Sequence, residues 1–133
     1  MLGDSEIIVF SQTTNSERAK SFYGEVLGLR FRGEDPFALS FSMGHIVLRV
    51  QKTSHIPASF FTRFGWVVPD INAAVQELSK KGVVFDQQRG VPQDELGIWT
   101  VPDGTKVAWF KDPDGNVLSL TQFLKTSTAG SLT

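Results

Sequence analysis

Two stretches of this chain follow one pattern, and that internal repeat limits the possible folds more than any other feature. In "TTNSERAKSFYGEVLGL" the apolar residues Ala19, Phe22, Tyr23, Val26 and Leu27 recur at helical spacing and make one buried stripe. In "VPDINAAVQELSKKG" Ile71, Ala74, Val75 and Leu78 do the same, at an offset of about 55 residues that sets Asn15 on Asp70 and Phe31 near Phe85. Thr14 with Glu17 fits a capping box for the first helix, with Ser16 and Asn15 as rival caps, and Gly28 and Gly82 close the two helices.

Each helix follows an apolar run of strand type, "EIIVF" before the first and "FTRFGWVV" before the second. Strands "LRFRG", "FALSFSM" and "HIVLRVQ" are predicted after the first helix, and "VVFDQQ", "GIWTVP", "KVAWFK" and "VLSLTQF" after the second. Gly44 falls on Gly115 when the last turns are superposed, and the second half carries a longer insertion around residues 86 to 100. A sheet with a helix on one face must cover its other face as well. The expected fold is therefore α+β, with two βαβββ modules forming a cleft-enclosing, partly open sheet and the helices on its outer face. The modules are expected at about 4–51 and 59–124 within a single domain, 1–126, and the polar stretch 125–133 as a flexible tail.

The length of 133 residues suits one domain with a real core. Thirteen basic residues stand against fourteen acidic ones, giving a formal net charge of -1 with no basic cluster, so nucleic acid and anionic membrane surfaces are not expected partners. No cysteine is present, which rules out disulfides, thiolate metal sites and a cysteine nucleophile. "MLGDSEIIVF" has an acidic pair and only a short apolar run, so neither a signal peptide nor a membrane span is expected, and the chain is read as cytoplasmic.

"SERAKSFYGEVLGLRF" at 16–31, "VPDINAAVQELSKKGVVF" at 68–85 and "FKDPDGNVLSLTQ" at 110–122 together resemble the vicinal-oxygen-chelate superfamily, which includes glyoxalase I, bleomycin-resistance proteins and extradiol dioxygenases. The resemblance covers nearly the whole chain. It implies pairing into a homodimer, with clefts formed within one chain or by exchange of modules. In metal-using members, four inward-facing side chains, one on the first and one on the last strand of each half, hold an ion through His, Glu or Gln. Carried over residue by residue, those positions fall here on Ile7 or Ile8, on Leu48 by the match of Gly44 to Gly115, on Arg63, and on Ser119. A slip of one or two residues would bring in Glu6 or Arg49. None of the four is a competent ligand, and Arg63 is a permanent cation. No metal and no cofactor are expected.

Other chemistry is thinly represented. The two histidines, His45 at a strand start and His55 in a Pro- and Ser-containing connector, do not share a motif, and no "GxSxG" frame supports a serine triad. "DPDGN" at 112–116 reads as a structural turn, with Pro113 presetting φ and Asp112 bonding the turn backbone. Residues 87–99 could be a lid, an exposed crossing or a subunit contact, with Asp94 and Glu95 as formal candidates for a base.

Arg63 should alternate with Gly65 and Val67 on an inward face, leaving Phe64, Trp66 and Val68 beneath the second helix. There it would receive a carboxylate, phosphate or enolate, or else pair with a neighbouring acid. Trp99 and Trp109 are candidates to stack on a planar ligand, whereas Trp66 is expected in the core. The reading is a metal-independent small-molecule-binding protein that takes an aromatic or anionic ligand through Arg63, Trp99, Trp109, Ser119 and Thr121. The alternatives are a lyase or dioxygenase with relocated ligands, a metal-free isomerase using Arg63, and a dimeric scaffold.

Overall fold

The computed structural model describes residues 1–124; the tail expected at 125–133 lies outside the described residues. The chain divides into two compact units. The first is Met1–Phe60 with Asp112–Asn116, and the second is Phe61–Lys111 with the chain from Val117 onward. Among the described residues, no helix is long and apolar enough to cross a membrane.

In the first unit, strand β1 (Ile7–Thr13) leads into helix α1 (Ser16–Lys20), which continues as a π-helical stretch, Ser21–Val26. Strands β2 (Arg30–Glu34), β3 (Ala38–Met43) and β4 (Ile46–Lys52) follow. The sheet order is β1-β4-β3-β2, with β1 parallel to β4 and the other pairs antiparallel. Asn15, not Thr14, caps the helix: its carboxamide oxygen accepts the Arg18 N–H at 3.0 Å. The Thr14 hydroxyl is instead engaged by Asp114. The helical stripe places Ala19 and Tyr23 against Leu39, Phe41, Leu48 and Val50, all fully or almost fully buried. Each large apolar side chain so buried contributes roughly 1.5–3 kcal/mol.

The second unit repeats the order. Strand β5 (Thr62–Val67) precedes helix α2 (Ile71–Lys80), capped by Asp70, and strands β6 (Trp99–Thr100), β7 (Lys106–Lys111) and β8 (Val117–Gln122) complete a sheet ordered β5-β8-β7-β6. Ile71 and Val75 are buried with Ala108, Phe110, Leu118 and Leu120, and Trp66 stacks on Phe110 with ring centroids 6.3 Å apart. "VVFDQQ" is not a strand: toward β7 it makes the isolated Phe85–Phe110 bridge and a hydrogen bond from the Asp86 N–H to the Trp109 carbonyl. "GIWTVP" yields just two strand residues. The chain between helix and β6 spends its hydrogen bonds on itself instead. The Gln93 carboxamide bonds the Gln88 N–H and the carbonyls of Asp86 and Gly97, and Asp94 accepts the N–H groups of Leu96 and Ile98. Asp94 therefore organises this loop through one carboxylate oxygen.

The turn 112–116 belongs to the first unit although its flanking strands belong to the second. The buried Asp112 carboxylate accepts the N–H groups of Asp114 and Asn116, each at 2.9 Å, the Asn116 carboxamide at 2.7 Å, and the Tyr23 hydroxyl. Gly115 sits at φ +86°, a conformation that a side chain would resist. Burial above all, then the charge and hydrogen bond of Asp112, push the Tyr23 pKa far above its ordinary value, so the phenol remains a neutral donor. Asp114 accepts the Thr13 hydroxyl at 2.6 Å, the Thr14 N–H and hydroxyl at 2.9 and 2.7 Å, and the Arg18 guanidinium at 3.2 Å.

Burial works to raise the pKa of Asp114, but those hydrogen bonds and the Arg18 charge outweigh it and hold the carboxyl below its ordinary value of 3.8. Because the folded pKa is the lower one, Asp114 stabilises the fold in full above the ordinary value and loses that contribution as pH falls through the folded pKa. Urea unfolding followed from pH 7 to pH 2 should show wild type losing stability below about pH 4. Asp114→Asn should be less stable at pH 7, on the order of 1–3 kcal/mol, and show a shallower acid limb. Parallel acid limbs in the two proteins would contradict this assignment.

Candidate functional site

The faces of the two sheets that carry no helix are where unassigned polar side chains collect. On the second sheet, the register sets Gly65 beside Ser119 and Ser119 beside Trp109, and in the next row sets Val67, Thr121, Val107 and Trp99 side by side. Cross-strand partners share a face. Trp109, Trp99, Ser119 and Thr121 thus lie on one face, opposite the buried Ala108, Phe110, Leu118 and Leu120. The two indoles stack, with centroids 6.1 Å apart and planes 22° from parallel. Both are half-buried, so each keeps ring area open to solvent.

Arg63 is exposed and occupies a β-bulge: Thr62 pairs with Val117 and Phe64 with Leu118, leaving Arg63 as the extra residue. Bulges re-aim a side chain and release it from the ladder. Among the described residues no carboxylate lies within ion-pair distance of Arg63. Gly65 is required by close approach. A Cβ there would collide with the Ser119 hydroxyl and come within 2.5 Å of the Ser119 carbonyl oxygen.

Unequal turns explain where counting along the chain goes astray: Met43 pairs with Ile46 across Gly44 and His45, whereas Lys111 pairs with Val117 across residues 112–116, so Gly44 and Gly115 are not equivalent. Ser119 pairs with Gly65, and the residue matching Gly65 in β1 is Phe10, whose partner in β4 is Arg49. The first-half position assigned to Leu48 therefore belongs to Arg49. Leu48 is fully buried on the helix face and pairs with Phe41, just as Leu118 pairs with Phe110. Strand parity likewise selects Ile8 over Ile7, since Ile8 shares the face of Phe10. Arg49 gives one N–H to Asp35 at 2.9 Å and another to Ser40 at 3.4 Å.

Ile8, Arg49, Arg63 and Ser119 thus hold the four positions at which metal-using relatives carry ligands. Two are guanidinium groups without a free lone pair and one is aliphatic, so these residues do not fit a metal ion. His45 and His55 are both exposed, and among the described residues no three His, Cys, Asp or Glu side chains gather as a metal would need.

The family model for the Glyoxalase/Bleomycin resistance protein/Dioxygenase superfamily matches residues 9–120. The chain belongs to that superfamily. No curated protein matches its sequence significantly. Among solved structures, it is similar to a member of the superfamily from Sphaerobacter thermophilus DSM 20745 (20% identity, covering 92% of this chain and 100% of that one, TM-score 0.73). It is also similar to lactoylglutathione lyase from Agrobacterium tumefaciens (14% identity, 90% and 93% covered, TM-score 0.69). A third is TnmS3, an antibiotic binding protein from Streptomyces sp. CB03234 (23% identity, 89% and 95% covered, TM-score 0.66). At these identities the likeness establishes the fold of a superfamily member.

Gly65→Ala should displace Ser119 from its place beside Trp109. We expect a lowered thermal midpoint and an altered near-ultraviolet tryptophan dichroism, because the new methyl meets β8 backbone as well as a side chain. An unchanged midpoint and spectrum would show that the β5–β8 approach is looser than described.

Proposed function

We propose that this superfamily member is a small-molecule-binding protein that works without a metal and takes an aromatic ligand bearing an anionic group on the open face of its second sheet. The observation that carries the reading is the half-buried Trp99–Trp109 stack on the same face as Ser119 and Thr121. Stacked aromatic rings favour a further planar ring, at roughly 0.5–1.5 kcal/mol beyond the area buried. The hydroxyls of Ser119 and Thr121 can each donate and accept a hydrogen bond at the edge of such a ring. Arg63, unpaired among the described residues, offers a fixed positive charge. That an antibiotic binding protein shares the fold supports the class of function. A cytoplasmic homodimer is part of the same reading, supported by family habit and by a cysteine-free sequence.

The donor set at the four superfamily positions argues for metal independence. Untagged protein exposed to nickel, zinc, manganese and ferrous iron and then desalted should retain far less than one equivalent of any of them by elemental mass spectrometry. Near-stoichiometric retention would overturn metal independence and favour an enzyme with relocated ligands.

Ligand binding is read by tryptophan fluorescence during titration with 2-naphthoate, with 2-naphthamide as the uncharged control. Saturable quenching by the anion is expected. Trp99→Ala and Trp109→Ala should each weaken it roughly fivefold or more, and Arg63→Ala should remove the preference for the anion over the amide. Equal affinity in all three variants would eliminate this face as the binding site.

A further inference from the structure

Trp99 belongs to a strand too short to hold its side chain unaided. β6 is two residues long and pairs with β7 only at Trp99–Val107 and Thr100–Lys106. Continued by two residues, this antiparallel ladder would set Gly97 opposite Trp109. It stops short of that, because the Trp109 carbonyl already accepts the Asp86 N–H at 2.7 Å and Phe85 bridges Phe110. Between Val107 and Trp109, β7 therefore changes its neighbour from β6 to the segment 85–86. The Trp99–Trp109 stack lies across that changeover, with one indole on either side of a break in the ladder.

The side chain of Gln93 bridges the break. Its carboxamide nitrogen donates to the Asp86 carbonyl at 2.9 Å and to the Gly97 carbonyl at 2.7 Å, while its oxygen accepts the Gln88 N–H at 2.5 Å. One end of this clasp is the residue whose N–H holds the Trp109 carbonyl, and the other lies two residues before Trp99. The Gln93 backbone also makes an isolated bridge with Trp99, so Trp99 is held between Val107 on one side and Gln93 on the other. Gly97 is buried at φ +87°, and a Cβ there would come within 3.2 Å of the Phe85 Cβ, so the two segments that Gln93 joins are in close contact. Two carbonyls need donors and one N–H needs an acceptor. A carboxamide supplies that set, and neither a carboxylate nor a thioether does.

We propose that Gln93 is a positioning residue for the tryptophan pair: its carboxamide sets the indole of Trp99 on that of Trp109, and with it the aromatic surface that a planar ligand meets. An indole on an unbraced two-residue strand samples several rotamers, and a ligand must order it before stacking on it, which weakens binding. With the brace in place that ordering is done before the ligand arrives. The longer insertion of the second half thereby acquires a role, since residues 86–97 supply every group that Gln93 joins. For ligand binding the inference rests on the proposed function of this face; for the stack itself it stands on geometry alone.

The test uses the full chain with two variants: Gln93→Met, of similar volume but without donors, and Gln93→Glu, which keeps the acceptor and loses both donors. The signature of the stack is the exciton couplet in circular dichroism that disappears in Trp99→Ala. Well below the thermal midpoint, each folded Gln93 variant should show that couplet clearly reduced. Gln93→Met should weaken 2-naphthoate and 2-naphthamide by the same factor, roughly threefold, leaving the preference for the anion intact. In the Trp99→Ala background it should weaken neither further, because a residue that acts through another is not additive with it. A couplet of full size in either folded variant would overturn the proposal, as would a loss of affinity that persists in Trp99→Ala. Failure of both variants to fold would also overturn it, by making Gln93 a residue of the fold and not of the stack. A wild-type chain that binds neither compound would remove the proposed ligand class, and the couplet alone would then decide the role of Gln93.

Discussion

The buried carboxylate of Asp112 is the interaction on which much of this structure depends. A charge taken out of water costs several kcal/mol unless hydrogen bonds replace the lost solvent. Asp112 finds four donors: two backbone N–H groups of its own turn, the Asn116 carboxamide and the Tyr23 hydroxyl. Tyr23 reaches it from the helix that covers the first sheet, and the Asn116 carboxamide goes on to bond the Gln12 carbonyl in β1. One turn, one helix and one edge strand are thus fixed by groups that would be costly to bury separately. Asp114, beside it, fixes the end of β1 through Thr13 and Thr14. This explains why a turn between two strands of the second unit is counted with the first.

The two bulges have a shared consequence. Each inserts one residue into an edge strand, and in both the inserted residue is an arginine, Arg32 in β2 and Arg63 in β5. A long cationic side chain in a regular ladder position would have to leave the sheet perpendicular to its neighbours. At a bulge the backbone bends locally and the side chain is released from that constraint. Both arginines remain exposed.

The repeat of helix and strands was legible because apolar spacing records which face of each element is buried, and that spacing survives in "SERAKSFYGEVL" as well as in "INAAVQEL". The alternation of Gly65 and Val67 against Phe64 and Trp66 was legible for the same reason. Three features were not. The π-helical stretch at Ser21–Val26 leaves the apolar stripe intact, so nothing in the spacing announces it. The stretch "VVFDQQ" has strand composition but gives its hydrogen bonds to a loop held by Gln93 and Asp94, and composition does not encode partners. Arg49 was displaced by Leu48 because counting from a glycine turn assumes turns of equal length, and the turn at 112–116 is longer than the one at Gly44 and His45. Strand parity was the usable signal: Leu48 and Val50 are apolar and alternate with Arg49, which therefore had to face away from the helix.

The placement of Arg49 and Arg63 bears on what this superfamily member can do chemically. A metal ion offers an empty orbital, and a bound oxygen atom enters its coordination shell and is polarised there. A guanidinium offers only N–H donors and charge, in a plane and at fixed spacing. It attracts the same anionic oxygens but neither binds neutral ones strongly nor lowers the pKa of water. An arginine in place of a metal ligand would therefore attract a negatively charged molecule without supplying the means to activate it. Arg49 is moreover paired with Asp35, whose other oxygen is occupied by backbone N–H groups.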